Sequence, residues 1–219
     1  MPDHDCPTVL LTGFAPFGGE TVNPSWQAVA PLDGAQVVGH RIVARQLPVE
    51  FGTSLVALRD ALRETAPVLA LCVGQAGGRA QLSIERIAIN IDDARIADNA
   101  GNLPIDAPVA ADGPAAYFAT LPIKAILAEL RAAGIPAEIS QTAGTYVCNH
   151  IFYGLMHALR DAPGIRGGFI HIPYAPEQAA CHPGAPSLPV ETATSALRIA
   201  LEVALTTTLD RRIAAGAEH

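Results

Sequence analysis

Short apolar runs recur along this chain, each too brief for a helix and each followed by a segment of helical periodicity. That alternation constrains the fold more than any other feature, and it points to an α/β layered domain. Thr8–Thr12 is such a run, ending at Gly13; Val68–Val73 closes at Gly74; Ala137–Ser140 and Gly167–Ile172 follow. Val37–Leu47 is β-branched and reads as a further strand. Between these, Asn23-Pro24 predicts a helix N-cap with proline at the first helical position, opening a helix through Trp26 and Val29. Phe51–Glu64 places Leu55, Leu58 and Leu62 on one face, and Ile123–Ala133 is a helix stopped by Gly134. Tyr146–Leu159 carries a stripe of Val147, Ile151, Leu155 and Leu159, and Val190–Leu209 is a long final helix. Within Leu82–Ile91 the apolar parity changes, so a bulge is expected near Glu85-Arg86, a device that often re-aims side chains beside active sites. Asp98–Pro108 reads as a loop and Arg211–His219 as a frayed tail. No repeat or linker interrupts the pattern, so one domain over 1–219 is expected, ordered from about residue 8 to 209.

Composition removes several function classes. Half of the 219 residues are hydrophobic and 16% are charged, which excludes a disordered chain. The net charge of −7 comes with no basic run, so there is no electrostatic footprint for a nucleic acid. The start, Met1-Pro2-Asp3-His4-Asp5-Cys6, is acidic where a secretory signal is basic, and Pro67–Val73 is far too short to span a bilayer. Cys6, Cys72, Cys148 and Cys181 are widely scattered, so reduced thiols in a cytoplasmic protein are the expectation.

Chemistry concentrates around Cys148. The stretch Ser140–His150 runs from a strand through small polar residues into a helix, which puts Cys148 in a first turn. Unpaired N–H groups and the helix dipole there favour thiolate over thiol. On spacing alone a structural cysteine is an equal alternative. A nucleophile needs a base within reach; His150 points away along the helix, whereas His171 ends a predicted strand, at the sheet edge where α/β sites form. Glu85 at the expected bulge is a candidate to orient that histidine, as are Asp92 and Asp93. Neither H-E-x-x-H nor C-x-x-C is present, and the glycine-rich segments match no phosphate-binding pattern, so no metal site is expected and phosphate binding has no support.

Four segments in order resemble the pyroglutamyl peptidase I family of cysteine peptidases: Thr12–Gly19 with Asn23-Pro24-Ser25, Gly74–Arg79 with Glu85–Asn90, Thr142–Asn149, and Gly168–Pro173. The resemblance implies an α/β/α sandwich with a mixed, twisted sheet, assembled as a tetramer without cofactor. It implies an exopeptidase that removes N-terminal 5-oxoproline through a thioester, with Cys148 as nucleophile, His171 as base and acid, and Glu85 as orienter. Arg95 is the implied transition-state helper; Phe14, Phe17, Gln75, Tyr146 and Val147 are the implied substrate contacts. Tyr146 stands where phenylalanine is common and Gln141 where asparagine is. Two rival classes remain: a glutaminase-like amidohydrolase, which leaves the Phe14–Phe17 loop and the Gly74–Arg79 segment unaccounted for, and a binder or thiol sensor using Cys148 only for oxidation.

Overall fold

The computed structural model describes residues 6–216. The readings made on Met1–Asp5 and Ala217–His219 lie outside the described residues. The strands are β1 (Thr8–Phe14), β2 (Gln36–Val37), β3 (His40–Leu47), β4 (Leu69–Gln75), β5 (Leu82–Glu85), β6 (Ile87–Ile89), β7 (Ala116–Phe118), β8 (Ala137–Ser140) and β9 (Arg166–Ile172). The helices are α1 (Pro24–Val29), α2 (Thr53–Thr65), α3 (Ile123–Ala132), α4 (Val147–Leu159), α5 (Pro176–Ala179) and α6 (Val190–Thr206), with a 3-10 turn at Ala30–Leu32.

Seven strands form one sheet in the order β2-β3-β1-β4-β9-β5-β8. β3, β1, β4 and β9 run parallel. β5 pairs antiparallel with β9 and parallel with β8, so the sheet is mixed. Because side chains alternate across a strand, the sheet feeds two cores. Val9, Leu11, Leu71, Val73, Ile84 and Ile170 pack beneath α1, α3 and α6. Leu10, Ala70, Cys72 and Phe169 pack beneath α2 and α4. This is the expected α/β/α sandwich. Asn23 caps α1 through its side chain, accepting from Ser25 N–H at 3.0 Å, with Pro24 in the first turn, as the sequence predicts.

Three expectations are corrected. Val37–Leu47 is two strands, with the chain reversing at Val38-Gly39, both at positive φ. The parity change in Leu82–Ile91 is a departure from the sheet, with no bulge needed. After Glu85, Arg86 N–H bonds to Ser140 C=O at 3.0 Å, and β6 then pairs with β7 in a separate ribbon over α4. Asn149 fixes that ribbon: its side chain accepts from Ile89 N–H at 3.0 Å and donates to Ile89 C=O at 2.9 Å and Ile91 C=O at 3.0 Å.

The third correction concerns the segment after α6, which is docked where fraying was expected. The Asp210 carboxylate accepts from the N–H groups of Lys124 at 3.1 Å and Ala125 at 2.9 Å, capping α3, which has no side-chain cap of its own. Arg211 pairs with Glu129, and Ala215 packs on the core. All four cysteines are unbridged. Among the described residues, no helix is long and apolar enough to cross a membrane.

Candidate active site

Sheet register assembles the site. Gly74 of β4 lies in register with His171 of β9, and Ser83 of β5 lies opposite His171 on the other side. Glu85, two residues beyond Ser83, is therefore the diagonal neighbour of His171 on the same face, within reach of a long side chain. Glu85 is fully buried and His171 is 3% exposed. His171 Nδ1 donates to Glu85 Oε1 at 2.7 Å, since a carboxylate can only accept, and this leaves the Nε2 lone pair available. Nε2 has no hydrogen-bond partner among the described residues.

α4 crosses this face and brings Cys148, its second residue, over the bare backbone of Gly74. A side chain at Gly74 would begin 2.9 Å from Cys148 Sγ and 2.8 Å from the Phe169 ring, so only glycine leaves the sulfur its seat. The first helical bond of α4 runs from His150 N–H to Tyr146 C=O at 3.1 Å, so the N–H groups of Val147, Cys148 and Asn149 precede the ladder. Cys148 and His171 make no thiol–imidazole hydrogen bond here; such bonds often tighten only around substrate.

The charge state differs from expectation. Cys148 keeps part of its surface open, but burial pushes its thiol up to about 12. The Glu85 anion adds to the rise and the Arg79 cation opposes it. Burial also lowers His171, against the raising influence of its bond to Glu85. Burial thus works toward the uncharged form of both groups. The dipole of a first turn is a modest local effect, and desolvation of the sulfur overrides it.

Arg79 is the residue the sequence reading missed. Its Nη1 bonds Glu85 Oε1 at 2.7 Å and its Nη2 donates to Thr142 C=O at 2.9 Å, tying the carboxylate to the loop ahead of α4. The second carboxylate oxygen of Glu85 is buried without a partner among the described residues. Arg79 ends the glycine-rich segment Gly74–Arg79, six positions before Glu85, and that proximity was its one visible signal.

Beside the sulfur lies a narrow cleft lined by Phe14, Phe17, Asn23, Val49, Gln75, Tyr146, Val147 and Cys148. Every expected substrate contact is on this wall; Asn23 and Val49 are additions. Phe14 N–H bonds Ser25 Oγ at 2.9 Å and Asn23 Nδ2 bonds Ala15 C=O at 2.9 Å, which ties the aromatic loop to α1. Phe17 and Phe51 both face Tyr146, at centroid distances of 6.2 and 5.4 Å. The Tyr146 hydroxyl donates to Ala97 C=O at 3.2 Å.

The remaining candidates go elsewhere. Arg95 is exposed in a second cleft with Asp93, Ile96, Thr145 and Tyr146, and no hydrogen bond or ion pair among the described residues joins it to the sulfur. Asp93 is exposed. Asp92 is buried and serves a different histidine, His150, whose Nδ1 donates to Asp92 Oδ2 at 2.7 Å.

A cysteine on a helix start, facing a buried imidazole–carboxylate pair and a small apolar pocket, belongs to the class of thiol-dependent hydrolases. Comparison with known proteins narrows this. The sequence model of the family described as pyroglutamyl peptidase matches residues 7–207. The pyrrolidone-carboxylate peptidase of Cupriavidus taiwanensis is 61% identical over 215 residues, covering 97% of this chain and 100% of the relative. That of Escherichia fergusonii is 57% identical over 212 residues, covering 97% and 99%. The crystal structure of Bacillus amyloliquefaciens pyroglutamyl peptidase I superposes with a TM-score of 0.91 at 53% identity, covering 94% of this chain and 100% of that one. Pyrrolidone carboxyl peptidase from Thermococcus litoralis gives 0.88 at 39%, covering 91% and 93%. This chain belongs to the pyroglutamyl peptidase family.

Proposed function

We propose that this chain is a cysteine exopeptidase that hydrolyses the bond after an N-terminal pyroglutamyl residue, with Cys148 as nucleophile, His171 as base and acid, and Glu85 as its orienter. The observation that carries the reading is the register: Gly74, His171 and Glu85 share one sheet face, and Cys148 Sγ sits on Gly74 beside the aromatic pocket. A pyroglutamyl ring has no charged amine, so apolar walls from Phe14, Phe17, Tyr146 and Val147 suit it, with Gln75 for its polar edge.

As Cys148 sulfur attacks the pyroglutamyl carbonyl carbon, its proton passes to His171 Nε2. Glu85 stabilises the imidazolium formed. The N–H groups at the start of α4 face the tetrahedral oxygen, a type of contact worth roughly 10²–10³ in rate per donor. His171 returns the proton to the departing amine, the C–N bond breaks and a thioester remains. Water, giving a proton to His171, then attacks the thioester; the C–S bond breaks, the sulfur is reprotonated, and pyroglutamate leaves. For Arg95, direct support of the transition state has no contact behind it, and the helix N–H groups take that part in this scheme. The 219 residues act as one peptidase domain; a tetramer and a cytoplasmic location, where the unbridged cysteines stay reduced, complete the proposal.

The test is turnover of a fluorogenic pyroglutamyl amide. Cys148→Ala is expected to abolish it and iodoacetamide to block it in the native chain. Turnover that survives Cys148→Ala would overturn the assignment.

A further inference from the structure

The two phenylalanines of the cleft are held differently. Phe14 ends β1, is 2% exposed and has its N–H tied to Ser25 Oγ at 2.9 Å. Phe17 stands half-buried on the loop that follows, ahead of Gly18 and Gly19, whose φ values of +63° and +84° turn the chain back. The near end of that loop is fixed at Ala15, whose N–H donates to Leu47 C=O at 2.9 Å. Its return is fixed at Glu20, whose carboxylate accepts from His182 Nε2 at 2.7 Å. Between these ends, Pro16–Gly19 has one hydrogen bond to another part of the fold among the described residues: Asn99 Nδ2 donates to Pro16 C=O at 2.9 Å. A backbone carbonyl only accepts, so the amide nitrogen of Asn99 is the end that faces it. That carbonyl belongs to the rigid peptide unit joining Pro16 to Phe17, so the bond acts on the backbone that carries the Phe17 ring.

Asn99 is itself firmly held. It lies in a turn, Ala97–Asn102, built around the Asp98 carboxylate, which accepts from Ala100 N–H at 2.9 Å, Asn102 N–H at 2.7 Å and Phe51 N–H at 2.7 Å. Asn99 N–H donates to Val49 C=O at 3.0 Å, which pins the turn to the segment ahead of α2. The same turn receives the Tyr146 hydroxyl, at Ala97 C=O. Phe17 and Tyr146 face one another across 6.2 Å between ring centroids, and both line the cleft. One turn therefore holds both rings, Tyr146 by its hydroxyl and Phe17 through its backbone.

We propose that Asn99 is a positioning residue of the substrate pocket: its side-chain amide latches the Pro16–Phe17 peptide and so holds the Phe17 ring opposite Tyr146. The inference rests on the pyroglutamyl reading of the site and adds to it the group that sets the spacing of two aromatic walls. Asn99 is not among the residues lining the cleft, and no hydrogen bond joins it to Cys148 or His171 among the described residues. Its effect therefore falls on binding of the ring and leaves the chemical step alone.

The experiment is a double-mutant cycle on pyroglutamyl aminomethylcoumarin amide, with Asn99→Ala, Phe17→Ala and the pair together, each checked for folding by thermal melting. Asn99→Ala is expected to raise KM about three- to tenfold with kcat within about twofold, the range for one neutral hydrogen bond. In the Phe17→Ala background it is expected to add nothing, because Asn99 acts through that ring. Additive effects, or a fall in kcat with KM unchanged, would overturn the proposal. If Asn99→Ala does not fold, Asn99→Asp takes its place in the cycle. It keeps the size of the side chain and the main-chain bond to Val49, but turns an acceptor toward Pro16 C=O, so KM rises at least as far. An Asn99→Asp enzyme with unchanged KM would overturn the proposal. Absence of turnover in the unmutated chain would be a different result, removing the peptidase reading itself.

Discussion

Two buried histidine–carboxylate pairs lie among the described residues, and near the carboxylate they are alike. His171 donates from Nδ1 to Glu85 at 2.7 Å, and His150 donates from Nδ1 to Asp92 at 2.7 Å. Each carboxylate keeps its other oxygen buried without a partner among the described residues. The difference lies at the far nitrogen. Gly52 N–H donates to His150 Nε2 at 3.0 Å, so that lone pair is spent on holding the turn at Phe51-Gly52, where φ of Gly52 is +76°. The Nε2 of His171 has no hydrogen-bond partner among the described residues, and His171 lies in register with Gly74, on which the sulfur sits. A second difference is Arg79, which shares Oε1 of Glu85 and has no counterpart at Asp92 among the described residues. The comparison teaches that an imidazole–carboxylate pair becomes a base only when its outer nitrogen is left free; otherwise it is a strut.

The sharpest way to break that contrast is to remove each imidazole. His171→Ala is expected to lower kcat/KM by about 10²–10⁴ while melting like the unmutated chain, because what is lost is proton transfer. Equal activity would make His171 a second strut. Glu85→Gln is expected to cost less, roughly 10–100-fold in kcat, since the imidazole remains but is poorly held; full activity would end its orienting role. His150→Ala should show the reverse pattern in calorimetry and kinetics. It leaves Asp92 and Gly52 N–H buried and unpaired, so about 3 kcal/mol of stability is lost. At this chain length that is about 6–12 °C in Tm, with kcat/KM of the folded protein within about tenfold.

Arg79→Gln is the finest probe. The Arg79 cation lowers His171 and Cys148 alike. Its removal raises both, so the acid limb of the kcat/KM–pH profile, set by protonation of His171, moves to higher pH, and the alkaline limb moves the same way. An acid limb that stays in place would detach Arg79 from the pair.

Much of the architecture was legible in sequence because it is local. The strand run Thr8–Thr12, the Asn23-Pro24 cap and the Gly134 stop each act within a few residues. Glu85 was visible as a change of parity, although the change marks the chain leaving the sheet. What stayed hidden depends on groups far apart in the chain. Asn99 meets Pro16 across 83 positions, and Asp92 meets His150 across 58. The burial that raises the Cys148 thiol was hidden for the same reason: a first turn can be read from Tyr146–Cys148, but desolvation comes from tertiary packing. The cap on α3 arrives from Asp210, 85 residues beyond Ala125, where no local pattern announces it.

Gly74 has a practical consequence for anyone scanning variants of this chain. Exchange of glycine for alanine inside a strand is ordinarily dismissed as benign, yet here the added methyl and the reactive atom would compete for one volume. A single methyl group, chemically inert and absent from any inventory of reacting groups, would push the reactive sulfur or the Phe169 ring out of its seat.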